Sequence, residues 1–360
     1  MVITIKFLTL HIINTHISFF ERRRKNIDIM NKEEWLKKGY VTELVDKTLD
    51  LKTEIDKLRK EKNALILGHY YQSGEIQDIA DFVGDSLALA QWAAKTDADI
   101  IVMCGVHFMG ETAKILNPNK KVIIPDMNAS CSLADSCPYD EFKLFKEQHP
   151  NHTVISYINC SAQIKTLSDI ICTSGNAVQI VNSLPKDEKI IFAPDKNLGG
   201  YINRITGRDM LLWNGSCEVH ELLTAEHVLK MKQQNPDATM VAHPECNPAV
   251  LELADFVGST QAMIKYIASS KSKRFLVATE SGITHKLQQD NPDKEFIIVT
   301  QNESCACNDC RHMKLNTMEK VLDTLEKENN EIILSEDLIL QAEKPINRML
   351  DISKQLGIIK

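Results

Sequence analysis

Three cysteines of this chain, Cys131, Cys217 and Cys310, occupy matching places in a repeated pattern of polar residues. The pattern is anchored on Asp81 in Ala-Asp-Phe-Val-Gly-Asp-Ser, Asp169 in Ser-Asp-Ile-Ile-Cys-Thr-Ser and Asp255 in Ala-Asp-Phe-Val-Gly-Ser-Thr. These aspartates are 88 residues apart (81 to 169) and then 86 (169 to 255). Five residues after each comes a hydroxyl, Ser86, Ser174 or Thr260, and twelve before each comes a ring, His69, Tyr157 or His243. Two residues beyond the rings stand Tyr71, Asn159 and Glu245. Each cysteine follows its aspartate by 48–55 residues. Three thiolates that meet from three units suit an iron–sulfur cluster with one iron free of protein ligands. Such an iron can bind and polarise a substrate oxygen or nitrogen as a Lewis acid. A closed structural site needs a fourth ligand, and no fourth cysteine repeats in register.

The other repeated positions suit an anionic substrate. Gly84-Asp85-Ser86, Thr173-Ser174-Gly175 and Gly258-Ser259-Thr260 each immediately precede a helical pattern. Helix starts offer free N–H groups and capping hydroxyls to carboxylates and phosphates. One such site alone reads as ordinary N-capping; three aimed at one centre read as a polyanion pocket. A single histidine at a strand end reads as a buried core imidazole. His69 and His243 at equivalent ends, with Tyr71, Tyr157 and Glu245 nearby, read as acid–base and carboxylate-binding groups.

The elements that must position these groups follow from hydrophobic patterning. Nine apolar runs have strand length: Ala64–Leu67, Ile100–Met103, Lys121–Ile124, Thr153–Ser156, Lys189–Phe192, Met210–Trp213, Thr239–Ala242, Arg274–Val277 and Phe296–Val299. Helical patterns such as Leu87–Lys95 and Ala262–Ser269 lie between most of them. Continuous β-rich runs alternating with helices predict parallel sheets in α/β units. With the repeat of about 87 residues, the expected fold is three homologous three-strand α/β units in pseudo-threefold arrangement around a central site. Ligands of such sheets sit beyond the carboxyl ends of the strands, so equivalent residues converge there. The expected boundaries are residues 63–150, 151–236 and 237–320 for the units. They are preceded by an N-terminal helix at 30–62, where Leu44, Leu51, Ile55 and Leu58 have helical spacing, and followed by a helical segment at 321–360. In that segment Ser335 is placed to cap a helix ending near Leu356.

Residues 1–29 are set apart. Residues 1–20 are apolar but interrupted by Lys6, His11, Asn14 and His16, and Arg22-Arg23-Arg24-Lys25 follows the apolar stretch instead of preceding it. That order fits neither a secretory signal nor a spanning helix. Met30 is the expected start, with 1–29 a disordered or artefactual extension.

Composition narrows the function. The chain has 360 residues, 42 basic and 49 acidic side chains and a net charge of −7, without the basic footprint of a nucleic-acid binder. Hydrophobic and charged contents of 43% and 25% are those of a globular domain. Ten cysteines are too sparse for a secreted disulfide scaffold and point to cytoplasmic thiols, some of them metal ligands. No nucleic-acid or membrane partner is expected.

The motifs themselves resemble quinolinate synthase, the A protein of bacterial NAD biosynthesis. The resemblance is carried by His69-Tyr70-Tyr71-Gln72, Ala80-Asp81-Phe82-Val83-Gly84-Asp85-Ser86-Leu87, Cys104-Gly105-Val106-His107-Phe108-Met109-Gly110-Glu111-Thr112-Ala113 and Cys131-Ser132-Leu133-Ala134. It continues through Ala193-Pro194-Asp195, His243-Pro244-Glu245-Cys246 and Ala254-Asp255-Phe256-Val257-Gly258-Ser259-Thr260, and spans about residues 34 to 356. It implies three α/β domains around a [4Fe–4S] cluster whose ligand positions match Cys131, Cys217 and Cys310. It implies a condensation of iminoaspartate with dihydroxyacetone phosphate to quinolinate, phosphate and two waters. Carried over position by position, the implied substrate pocket is His69, Ser86, Tyr157, Asn159, Ser174, His243, Glu245 and Thr260. His220 matches a family histidine near the cluster, and Tyr71 with Glu245 is the implied proton-transfer pair. L-aspartate oxidase, the family's iminoaspartate source, is the protein partner that the resemblance brings into view for transient contact.

The remaining thiols are read separately. Cys305-Ala306-Cys307-Asn308-Asp309-Cys310 departs from the Cys-x-x-Cys-x-x-Cys of some relatives at its first spacing. A redox pair of Cys307 with Cys310 is one reading of it, and zinc another, although no second pair accompanies it. Cys104, Cys160, Cys172 and Cys246 read as packed or pocket-lining residues, and Cys137 has no assigned role. Two other functional classes fit parts of the pattern: an iron–sulfur redox or carrier protein without a substrate, and a phosphosugar-binding regulator with structural cysteines. Electron carriers normally ligate every iron, so the three-ligand pattern favours the enzyme.

Overall fold

The chain is described here by a computed structural model covering residues 49–300 and 308–359. The expected N-terminal extension, Leu44, and the pair Cys305 and Cys307 lie outside the described residues.

All nine apolar runs are strands, and each unit adds a fourth. The first sheet is built from β1 (Ala64–His69), β2 (Phe82–Gly84), β3 (Ile100–Cys104) and β4 (Lys121–Ile123). The second has β5 (Thr153–Tyr157), β6 (Ile170–Cys172), β7 (Ile190–Ala193) and β8 (Leu211–Leu212). The third has β9 (Thr239–Ala242), β10 (Phe256–Val257), β11 (Arg274–Ala278) and β12 (Glu295–Ile298). Every pairing within them is parallel, and each sheet has its first strand between its second and third, with the fourth at the far edge. The architecture is therefore three repeated parallel α/β units, with four strands each in place of the three expected. The additional strands β2, β6 and β10 have two or three residues, too short to stand out as apolar runs. They begin one residue after the repeated aspartates.

That position explains the aspartates. The Asp81 side chain accepts from the backbone N–H of Ile66 at 2.8 Å, while the Asp81 N–H donates to the Ile66 carbonyl at 2.8 Å. Asp169 does the same with Val154 (2.8 and 2.9 Å), and Asp255 with Met240 (2.7 and 2.9 Å). Each aspartate is a two-point latch that sets its edge strand beside the first strand of the unit. The latched residues Ile66, Val154 and Met240 are fully buried, so their N–H groups have no water to turn to.

Two helices outside the repeat close the body. Helix Leu51–Glu61, capped by Asp50, buries Ile55 and packs against helix Met318–Lys327. The C-terminal helix Glu336–Gln355 is capped by Ser335 as expected, through a 3.3 Å bond from Leu338 N–H, and lies over β6 and helix Ala162–Thr166. Its buried stripe is Ile339, Ala342, Ile346 and Met349. Among the described residues no helix is long and apolar enough to cross a membrane.

The latch yields a prediction. Asp169→Ala should lower the unfolding free energy by about 1–3 kcal/mol, the cost of an orphaned buried donor. Asp169→Asn, which keeps one carbonyl oxygen, should lose less. Denaturant midpoints measure both, and equal midpoints for Asp169→Ala and the parent chain would rule out the latch.

Candidate active site

The carboxyl ends of the strands open onto one cavity of about 650 Å³, mouth included. Its wall contains every residue expected from the sequence to bind substrate, transfer protons or hold the metal centre. The rings His69, Tyr157 and His243 come from the ends of β1, β5 and β9, and Tyr71, Asn159 and Glu245 from the turns just beyond. The hydroxyls Ser86, Ser174 and Thr260 are there, as are His220 and the thiols of Cys131, Cys217 and Cys310.

The hydroxyls are not equivalent in local structure. Ser86 and Thr260 are the first residues of their helices, whose caps are Asp85, accepting from Ala88 N–H at 3.0 Å, and Ser259, accepting from Ala262 N–H at 3.3 Å. In the second unit the helix begins only at Ala177, so Ser174 lies in the preceding turn. Asp85 is a difference with consequence: a carboxyl capping one helix start makes that start less receptive to an anion. Among the described residues, the cavity wall has no lysine or arginine.

The polar side chains form one connected chain across the units. Ser174 Oγ lies 3.2 Å from His243 Nε2, and His243 Nδ1 lies 3.7 Å from Glu245 Oε1. The Tyr157 hydroxyl donates to Glu245 Oε1 at 2.6 Å, and Glu245 Oε2 lies 3.1 Å from His220 Nδ1. His220 Nε2 is 2.9 Å from Thr279 Oγ1, which is 2.7 Å from the Tyr71 hydroxyl, itself 3.3 Å from Thr260 Oγ1. Tyr71 and Glu245 are thus joined through Thr279 and His220. Asn159 Oδ1 is buried with no partner, a free acceptor in the wall.

Burial sets the protonation states. Burial raises the Glu245 carboxyl, but His243 and His220, with hydrogen bonds from His220 and Tyr157, outweigh it and hold the group at about 2. Burial, then repulsion from His243, lowers His69 to about 3 despite Glu245; burial lowers His243 to about 4 against the same carboxylate. Burial and Glu245 push the Tyr71 and Tyr157 phenols well above their ordinary range. Near neutral pH the cavity holds an ionised Glu245, neutral His69 and His243, and two phenols that keep their protons.

The three cysteines share a local geometry. Cys131 and Cys217 occupy the N-cap positions of the short helices Ser132–Asp135 and Glu218–Glu221, and Cys310 begins the turn leading to Met313–Leu315. Neither Cys131 nor Cys217 makes a side-chain capping hydrogen bond, although the backbone N–H groups near each of the three sulfurs favour the thiolate. In the metal-free protein burial prevails and raises all three thiols, Cys310 to about 12, with the neighbouring thiols adding to the rise at Cys131 and Cys217.

Their spacing bears on what they hold. One tetrahedral ion would draw its sulfurs to within about 4 Å of one another. Among the described residues, the group of ligating atoms gathered within 4.8 Å is that of Cys217, His220 and Glu245, and the three thiols do not form such a group. His220 and Glu245 are already committed to each other, to Thr279 and to Tyr157. Three thiols around one cavity, wider apart than a single ion spans, fit a polynuclear centre better than zinc.

The quinolinate synthetase A protein family matches residues 53–351. The chain belongs to this family. The quinolinate synthase of Chloroherpeton thalassium is 57% identical over 307 residues, covering 85% of this chain and 95% of that relative. Those of a Synechocystis strain (57% over 304 residues; 84% and 96%) and Trichormus variabilis (56% over 305 residues; 85% and 94%) are similarly close.

Sequence reading left out two groups of this candidate site, Thr279 and Glu280, and quoted Asp85 only as part of a helix start. Glu280 lines the cavity with 1% exposure, two residues beyond β11; Asp195, fully buried, stands two beyond β7. An acid at the same offset from the third strand of two units was the available signal. The thiols of Cys104, Cys160, Cys172 and Cys246 are fully buried, and Cys137 nearly so.

The histidine shifts predict a pH effect. Both are lowered on folding, so below about pH 6.5 the unfolded chain binds protons that the native chain refuses, and stability falls with pH. The loss is up to about 1.4 kcal/mol per pH unit for each histidine. His69→Gln should therefore flatten the fall of the denaturation midpoint between pH 7 and pH 5. A slope identical to that of the parent protein would show that His69 is not held neutral.

Proposed function

We propose that this protein is a quinolinate synthase, joining iminoaspartate to dihydroxyacetone phosphate with loss of phosphate and two waters. In this reading Cys131, Cys217 and Cys310 hold a [4Fe–4S] cluster. What carries it is the meeting, in one cavity, of three equivalent thiols with the connected chain from Tyr71 to Glu245. Family membership and the names of the relatives support it.

Bound on the three thiolates, the cluster would supply an iron with a free coordination position, a Lewis acid for a substrate nitrogen or departing oxygen. The rest falls to the chain. Condensation followed by dehydrations requires protons to be removed from carbon and nitrogen and delivered to leaving hydroxyls. Glu245 is ionised and oriented by Tyr157, so it takes protons. The Tyr71 phenol keeps its proton and delivers it, and Thr279 links it to His220, whose Nδ1 lies 3.1 Å from Glu245. Ser86, Ser174, Thr260 and the free oxygen of Asn159, with neutral His69 and His243, bind the polar ends of the substrates in a wall that, among the described residues, has no lysine or arginine.

Anaerobic purification tests this. The protein should be brown, absorb near 400 nm, a typical iron–sulfur band, and form quinolinate from the two substrates; a colourless protein with tightly held zinc would refute it. Single Ser substitutions at Cys131, Cys217 or Cys310 should lose cluster and activity, whereas Cys137→Ser keeps both. Glu245→Gln should keep the absorbance and lose turnover by about a hundredfold or more, the scale of general acid–base catalysis. Full activity in that variant would remove Glu245 from the mechanism.

A further inference from the structure

Glu280 is a buried carboxylate that the Tyr71–Glu245 chain leaves unused, and both of its oxygens are engaged. Oε1 accepts from the backbone N–H of Cys310 and from Lys314 Nζ, each at 2.9 Å, and Oε2 accepts from the N–H of Gly282 at 2.6 Å. Lys314 Nζ donates in turn to the backbone carbonyl of Tyr71 at 2.8 Å. Gly282 presses on the same peptide: a Cβ there would lie 2.7 Å from the Tyr71 carbonyl carbon and 2.7 Å from the Gln72 oxygen. Gln72 Nε2 reaches Met313 Sδ at 3.1 Å, a second tie between the Tyr71 turn and the Cys310 turn. The equivalent acid of the second unit, Asp195, spends Oδ1 on its own helix start at Leu198, and its other oxygen has no partner. The cross-tie therefore belongs to the third unit.

We propose that Glu280 and Lys314 are a positioning pair that couples the Cys310 thiol to the Tyr71 hydroxyl. The carboxylate that fixes the Cys310 turn also fixes the Lys314 ammonium, and the ammonium fixes the peptide from which the Tyr71 ring projects. A buried carboxylate deprived of its cation does not keep its place. Loss of Lys314 therefore loosens both ends together, while Cys131 and Cys217, held by their own helix turns, are untouched. The proposal rests on the quinolinate synthase reading for the roles of Cys310 and Tyr71, but the coupling itself is measurable without it.

The test uses Lys314→Met and Gly282→Ala in the full chain, with two readouts. In cluster-free protein, iodoacetamide labelling followed by peptide mass spectrometry gives the alkylation rate of each cysteine. Lys314→Met should speed labelling of Cys310 by about fivefold or more, the lower edge of ordinary coupling between sites, and leave Cys131 and Cys217 at the parent rate. In cluster-loaded protein it should lower kcat by about tenfold with KM nearly unchanged, the mark of lost geometry in the reacting complex. Gly282→Ala pushes on the Tyr71 and Gln72 carbonyls, so kcat should fall and, because the Tyr71 carbonyl holds Lys314, Cys310 should label faster than in the parent protein. Parent-rate labelling of Cys310 in Lys314→Met overturns the proposal. So does equal acceleration at all three thiols with a lowered melting temperature, which would make Lys314 a general prop. If the parent protein takes up no cluster and makes no quinolinate, the functional reading fails, and the labelling pattern alone decides the coupling.

Discussion

A carboxylate buried in a protein survives only if its neighbours replace the water it has lost. Glu245, 3% exposed, is that group here, and its neighbours come from different units. Tyr157 and His220 belong to the second unit, and His243 to its own. Through His220 and Thr279 the chain continues to Tyr71 in the first. The three sheets share no strand pairing with one another, so their relative placement is set by side chains and helices packed between them. A chain of polar side chains runs through all three units, hydrogen-bonded from Tyr71 to His220 and from Tyr157 to Glu245, with His220 Nδ1 3.1 Å from Glu245, and it fixes that placement at the site. Apolar packing alone, which tolerates small slides, would not.

The same constraint explains why the thiols sit at helix starts. A cysteine inside a strand would point along one face of one sheet, whereas one at the head of a short turn projects past the strand ends, where three units can meet. Burial makes the thiols reluctant to ionise, and the backbone N–H groups near them offset part of that reluctance.

Much of this was legible because the repeat is written in polar residues as well as apolar ones. Asp81, Asp169 and Asp255 marked the period, although what they do, latching an edge strand, is visible only in three dimensions. The strands they latch were missed because two or three residues carry too little hydrophobic signal to register, and backbone pairing alone defines them. Thr279 was missed for a different reason: nothing about a threonine after a strand distinguishes a proton relay from an ordinary β-former. Glu280 and Asp195 carried a signal, an acid at a fixed offset past the third strand, but in two units only. The first unit has Val106 there.

That unevenness follows a rule. A latch aspartate, a hydroxyl and a cysteine recur in all three units. Other positions near the carboxyl ends of the strands differ: His69, Tyr157 and His243 at the strand ends, Tyr71, Asn159 and Glu245 two residues on, and Val106, Asp195 and Glu280 beyond the third strands, all but Asp195 lining the cavity. On the proposed function, a cluster held by three thiols would need threefold equivalence at its ligands, whereas two unlike substrates condensing into one ring would offer no such symmetry. Divergence at the other positions would then let one unit present a proton donor, another a free acceptor and the third a carboxylate to the same small cavity. Only the third unit's acid is wired to its own cysteine and to the first unit's tyrosine. The Tyr71 peptide and the Cys310 turn thereby share one polar tie, across the interface where Gly282 packs directly on the Tyr71 peptide.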